Sequence, residues 1–241
     1  MKRPIAAARR LIAPSALALL TACASAFPSA PVPAGLRPMS VTDARSWAAT
    51  TEPSSRTQLQ MHWTFYDQAG DGGRTAGRGG LRLSLPDSLR LDYRGPLGFG
   101  IGAAAVVGDT ALWAQPQDQF QKLVPNYPLF WAMLGIARPP SAGWSVAGYQ
   151  DPRSTAWRYA RGADTIDYVV ATTTKSRVFE AYIRQGGKAI GRVTTVFDLT
   201  GTPLRSRLQV LGSPARLDIT FTKVTHPATF DADIWNAPHD Q

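Results

Sequence analysis

Few residues in this chain have the type and spacing for chemistry, and most of those fail on context. Gly98-Phe99-Gly100-Ile101-Gly102-Ala103 satisfies the bare G-x-G-x-x-A pattern of a loop that cradles a dinucleotide pyrophosphate. That function needs a parallel strand before the loop and a full helix after it. Here only Ala103 to Val107 precede the Gly108-Asp109 turn, so the glycines read as relief of crowding or a kink in a bent strand. No G-x-S-x-G elbow occurs, and His62, His226 and His239 are not spaced for a triad or a metal site. Asp71, Asp87, Asp109 and Asp164 stand beside turn residues, where solvation accounts for them. The expectation is a protein that is not an enzyme, with no cofactor, no metal and no catalytic residue.

One residue has a specific chemical context. Cys23 is the single cysteine, and it closes the tetrapeptide Leu20-Thr21-Ala22-Cys23 after a basic start (Lys2, Arg3, Arg9, Arg10) and an apolar run from Leu11 to Ala22. These are the parts of a secretory signal peptide. The tetrapeptide resembles a lipobox, where the leader is cut just before a cysteine that carries lipid. The run of 12 residues is too short to cross a bilayer core, which takes ~20. The expectation is a signal peptide over 1–22, a lipidated residue at Cys23 and a tether through residue 40. The Ala, Ser and Pro content of 24–38 suggests flexible, extended character.

Removing the leader changes the charge. The chain has 26 basic and 17 acidic residues; without the four basic residues of the leader it keeps 22, a net charge of +5. These charges are spread along the sequence with no basic run, which argues against nucleic-acid binding. The remaining 219 residues suit one domain, expected over 41–241.

The elements that must carry any site are mostly strands. A short helix is expected from Val41 to about Thr50, capped by Ser40 or Thr42. The period then becomes two. Leu59, Met61, Trp63 and Phe65 share one face, with Gln60, His62 and Thr64 on the other; Leu89, Leu91 and Tyr93 alternate with Arg90, Asp92 and Arg94. Similar runs recur to Leu217–Phe221, separated by turn signals such as Gly162-Ala163-Asp164 and Gly186-Gly187. About ten or eleven antiparallel strands result. A sheet of that width must curl, split or close, and one-sided alternation wraps a single apolar face inward.

One segment breaks the alternation. Residues 127–136 are dense in large apolar side chains, with Pro128 at a first helical position and Gly135 at an exit. A helix apolar on nearly every side is buried, so it is expected across the mouth of the curled sheet. Seven Trp, nine Phe and seven Tyr either fill a dry core or line a cavity for an apolar ligand; both readings stand. Face alternation assigns Trp63, Phe65, Leu91, Tyr93 and Trp113 to the cavity wall and Phe130, Trp131, Met133 and Leu134 to the lid.

Three pieces together resemble the LolA/LolB lipoprotein-localisation superfamily, and most nearly its LolB-like outer-membrane lipoprotein receptors. They are the lipobox cysteine with its tether, a strand running into Arg94-Gly95-Pro96-Leu97-Gly98, and Leu129-x-Trp131-x-x-Leu134-Gly135-x-x-x-Pro139. The resemblance implies a mainly β fold, an unclosed eleven-stranded antiparallel half-barrel with a helical lid over an apolar cavity. It implies a monomer that binds acyl chains of lipoproteins, received from a periplasmic LolA-like carrier, and inserts them into the outer membrane. By motif, Leu97 is the protruding loop residue used for membrane insertion. Ala24, in place of the Asp that serves such families as an inner-membrane retention signal, points to the outer membrane. The alternatives are a lipid- or glycolipid-binding lipoprotein of the same fold and a structural lipoprotein with a dry core.

Overall fold

The computed structural model describes residues 27–67, 73–84, 86–95, 100–117, 120–121, 126–212 and 215–237. Cys23, Ala24 and Leu97 lie outside the described residues. Thirteen strands form one antiparallel sheet: β1 (Arg37–Pro38), β2 (Thr57–Tyr66), β3 (Arg74–Ser84), β4 (Ser88–Arg94), β5 (Ile101–Val107), β6 (Thr110–Gln115), β7 (Ser145–Gln150), β8 (Ser154–Arg161), β9 (Asp164–Thr172), β10 (Arg177–Gln185), β11 (Lys188–Phe197), β12 (Pro203–Val210) and β13 (Arg216–Thr225). The strand order is β1-β7-β8-β9-β10-β11-β12-β13-β2-β3-β4-β5-β6. The end strands β1 and β6 do not pair with each other, so the sheet is an unclosed half-barrel. The strand count exceeds the expected ten or eleven because β1, β5 and β7 are short or lack polar alternation. β5 (IGAAAVV) is buried on both faces over Gly102–Val106, and a strand covered on both sides shows no period of two.

All but one of the pairings join strands that are neighbours in sequence or short edge strands. The exception is β2 with β13, where Trp63 faces Ile219 and Phe65 faces Leu217. This pairing welds β2–β6 to β7–β13.

Among the described residues, the helices α1 (Val41–Ala49) and α2 (Tyr127–Ala132) pack on the concave side. In α1 the Ser40 side chain accepts a hydrogen bond from the Asp43 N–H at 3.0 Å, which fixes the cap. Ala44 and Ala48 are buried, and Trp47 stacks near Trp157 and Tyr168 with ring centroids 5.8 and 6.1 Å apart. α2 lies against β10 and β11. Together with Tyr159 and Phe179 these side chains fill the hollow above β7–β12.

The segment expected to be a free tether is, from Phe27 onward, a strap on the convex face. The Phe27 ring lies beneath the Arg205 and Arg207 guanidinium groups at 4.5 and 4.1 Å. Ser29 accepts from Arg192 at 2.8 Å, and the Ala30 N–H donates to Glu180 Oε1 at 3.0 Å. Ala30 packs with Ala156, Val169 and Val178, flanked by Val32 and Leu36. The chain then adds β1 to the edge of β7. Proline-rich composition fixed the extended shape but not whether the segment was free; small apolar residues on β8–β10 give it a seat.

Glu180 is buried and holds the strap, Arg192 (2.6 and 2.8 Å) and Thr194 (3.2 Å) at once. A hydrogen bond to a charged acceptor is worth about 1.5–3 kcal/mol. Glu180→Ala should therefore speed hydrogen exchange at the Ala30 amide by about tenfold or more, read by mass spectrometry of the N-terminal peptide, with the strand amides of β2–β4 unchanged.

Candidate functional site

The concave face is packed unevenly. Above β7–β12 it is filled by aromatic rings, whereas above β2, β3, β4 and β13 it leaves a recess. Met61 and Trp63 of β2, Leu81 of β3, Leu91 and Tyr93 of β4, and Leu217 and Ile219 of β13 form its floor. Phe130 of α2 and Met133 and Leu134 just beyond it form its roof. Every lining residue is apolar or aromatic, and the cavity volume is about 40 Å³. That is room for a few waters at most, so with α2 seated the recess is too small for an acyl chain.

Glycines shape the floor. Trp63 lies flat over Gly77, where a Cβ would come within 2.5 Å of its ring and 2.0 Å of the Arg94 carbonyl oxygen. Tyr93 lies over Gly102, where a Cβ would sit 2.0 Å from the ring. The two rings meet edge to face at 6.3 Å. Gly102, from the dinucleotide-like run, thus makes room for an aromatic ring, as its sequence context suggested.

The lid is fastened from several sides. The Asn126 side chain accepts from the Leu129 N–H (3.3 Å), and Pro128 follows at the helix start. The expected helix over 127–136 is shorter than that. It ends at Ala132, and the chain leaves through Gly135 at φ +77° with Ile136 N–H bonded to Trp131 O and Gly135 N–H to Ala132 O. This is a Schellman ending, in which glycine supplies the left-handed residue. Thr195 Oγ1 donates to Ala132 O at 2.9 Å, and Trp131 Nε1 donates to Gly108 O at 2.8 Å. The Tyr127 hydroxyl accepts from the Ala111 N–H at 3.0 Å. On the far side, Arg138 stacks on Trp131 (5.2 Å) and approaches Asp109 (3.2 Å).

The structure brings Trp63, Leu91, Tyr93, Phe130, Met133 and Leu134 to one recess. Three expected members lie elsewhere. Phe65 is on the concave face but one pair beyond Trp63, opposite Leu217, and does not reach the recess. Trp131 is buried but faces Gly108 and Arg138, because successive helical residues point in different directions. Trp113 is on the convex face. A bulge at Leu112 places Ala111 opposite Val106 and Trp113 opposite Ala105, so strict alternation assigns Trp113 to the wrong side. Its indole instead donates to Trp235 O at 2.7 Å. Met61, Leu81, Leu217 and Ile219 were on the correct alternating faces, but which strands share a floor depends on the β2–β13 pairing.

Among the described residues no group of three or more His, Cys, Asp or Glu is placed to hold a metal ion. No helix among them is long and apolar enough to cross a membrane. Burial pushes the phenols of Tyr159 and Tyr168 well up from their ordinary range, so both are protonated core groups.

No family model matches the sequence, and no curated protein matches it. Solved structures similar to it include a LolA superfamily protein from Nitrosomonas europaea (10% identity, TM-score 0.37, covering 81% of this chain and 97% of that one). Others are a domain described as outer-membrane lipoprotein-sorting from Vibrio parahaemolyticus (7%, 0.35, 81% and 94%) and a DUF1329 family protein from Desulfovibrio piger (6%, 0.32, 81% and 95%). Scores this low transfer neither family nor function to this chain.

Gly135→Ala tests the lid exit. Its Cβ would sit 2.0 Å from Phe197 Cζ on a backbone of positive φ. A left-handed non-glycine residue costs ~1–2 kcal/mol and overpacking ~1–3 kcal/mol. A loss of about 2 kcal/mol or more is expected in denaturant unfolding.

Proposed function

We propose that this chain is an envelope lipoprotein, acylated at Cys23 and held at the periplasmic side of the outer membrane, that binds acyl chains in the recess and passes lipoproteins into the bilayer. The observation that supports this is the recess itself: an unclosed half-barrel whose concave face ends in a wholly apolar hollow beneath a separate lid. The mechanism is transfer by affinity, without nucleotide or covalent chemistry. A LolA-like carrier in the periplasm supplies the cargo, and the domain acts as a monomer.

A cavity of about 40 Å³ cannot take a chain unless Phe130, Met133 and Leu134 move outward. Burial of acyl carbons is worth ~0.8 kcal/mol per CH₂, so ten methylenes contribute ~8 kcal/mol. That gain opposes the cost of moving the lid, which is its hydrogen bonds at ~1 kcal/mol each and the burial of Phe130, Met133 and Leu134 at ~1.5–3 kcal/mol each; the entering chain replaces those apolar contacts as it displaces them. Leu97, which follows β4 in the sequence, is assigned the step of insertion into the membrane.

The small volume favours a second reading, in which the hollow is a dry core and the protein is a structural envelope lipoprotein. A displacement assay with a fluorescent fatty acid separates the two. Saturable uptake by the wild type, blocked by Leu217→Trp, is expected if the recess is the site. Leu217 is half-buried, so the indole should fill the recess at a stability cost within ~1–3 kcal/mol. No uptake, with no lipid retained in native mass spectrometry, would leave the dry-core reading. Leu97→Glu should leave uptake unchanged and stop transfer of a triacylated lipoprotein into vesicles.

A further inference from the structure

The convex face of β2–β4 carries arginines in an unusual arrangement. Arg82 of β3 is directly opposite Arg90 of β4, and Arg78 is directly opposite Arg94. Residues opposite each other across an antiparallel pair have Cβ atoms about 5 Å apart, where like charges repel. The first pair has its anion built in. Asp92 accepts from Arg82 Nη1 at 2.5 Å and from Arg90 Nε at 3.0 Å, with Arg90 Nη2 at 2.9 Å. The second pair, two side-chain repeats along the same strands and beyond the Gly80–Asp92 pair, has no carboxylate or other side-chain partner among the described residues. His62 of β2, opposite Arg78, extends the row to three strands.

The row borders a groove of about 880 Å³. Between the two arginine pairs β3 carries Gly80, where a Cβ would meet only Leu59 O at 3.6 Å, so that part of the floor is open. The far wall is the C-terminal segment, drawn across the sheet by Arg90, which donates to Ile234 O and to Asn236 O (3.3 Å), and by Trp113 on Trp235 O. That wall presents Asp231 and Asp233, whose carboxylates have no ion-pair partner among the described residues. One groove thus holds an unneutralised arginine pair and an unneutralised carboxylate pair.

We propose that this groove binds a phosphate ester that carries a primary ammonium group, the chemistry of phosphoethanolamine. The phosphate bridges Arg78 and Arg94 as Asp92 bridges Arg82 and Arg90. Planar guanidinium forks suit such an oxyanion. The ammonium is donated to Asp231 and Asp233, which repel a phosphate that lacks a cation. The proposal is independent of the acyl-chain reading, because the groove lies on the opposite face of the sheet from the recess.

The test uses the full chain with Cys23→Ser, which carries no lipid of its own. Phosphoethanolamine and glycerol 3-phosphate are titrated calorimetrically into this protein and its variants. Phosphoethanolamine should bind more tightly than glycerol 3-phosphate. Arg78→Gln/Arg94→Gln should weaken it by about tenfold or more, the scale of a lost charge-assisted hydrogen bond. Asp231→Asn/Asp233→Asn should remove the preference between the two esters. Both substitution pairs are at exposed positions, so unchanged thermal melting should accompany these losses. Flotation with phosphatidylethanolamine vesicles, against phosphatidylcholine vesicles, identifies the source of the phosphate. Flotation that depends on Arg78 and Arg94 assigns a lipid headgroup, and binding of the soluble ester alone assigns a free phosphate ester. Equal affinity of wild type and Arg78→Gln/Arg94→Gln, or no binding of either ester, overturns the proposal.

Discussion

The antiparallel pairing of β2 with β13 is the contact on which the rest of the molecule depends. It joins a strand near the start of the domain to one near its end, Thr57–Tyr66 to Arg216–Thr225. Without it the chain would be two smaller sheets, each with an exposed edge and an uncovered apolar face. With it the concave face is continuous, and Met61, Trp63 and Phe65 lie beside Phe221, Ile219 and Leu217. The floor of the recess is made at this seam. A shift in its register by one residue would turn Trp63 outward and His62 inward, removing the recess and the cationic row together. A bulge between Phe221 and Lys223 bends the seam and helps to pin that register.

Helix placement follows from the curl. α1 and α2 close the concave side, but unequally, since the aromatic rings above β7–β12 leave no space while the far half retains a hollow. Glycines opposite aromatic residues, Gly77 to Trp63 and Gly102 to Tyr93, let the rings lie against the backbone and thin the sheet where the recess forms. The lid helix is short, and its ends are held by a side-chain cap and a left-handed glycine. Its own turns supply little stability; its position is set by contacts with β10, β11 and the Gly108 turn.

The convex face is equally organised, though more of its residues are polar. Phe27, Ser29 and Ala30 strap β8–β12, and the C-terminal segment straps β2–β6. A chain leaving Phe27 reaches Cys23 in four residues, a span of at most ~14 Å. Under the proposed acylation the domain would thus be held close to the bilayer rather than on a long leash.

Much of the fold was legible in the sequence because its physics is local. Alternation over Leu59–Phe65 and Leu89–Tyr93 shows which side chains share a face, Ser40 marks the start of α1, and Asn126, Pro128 and Gly135 bound the lid. Local patterns fail where a long-range contact intervenes. Trp113 was assigned inward because nothing in TALWAQ reveals the bulge at Leu112. The tether was assigned as free because its binding surface comes from β8–β10, more than a hundred residues away in sequence. The arginines were read as scattered because Arg78 and Arg94 are sixteen positions apart and meet only across a strand pair. The sequence by itself determined a curled, mostly antiparallel sheet with one apolar face and a buried helix, since periodicity and end signals are properties of neighbouring residues. Only the tertiary structure decided how large the hollow is, which residues reach it and which charges find partners, since those depend on the packing of segments that the chain order keeps apart.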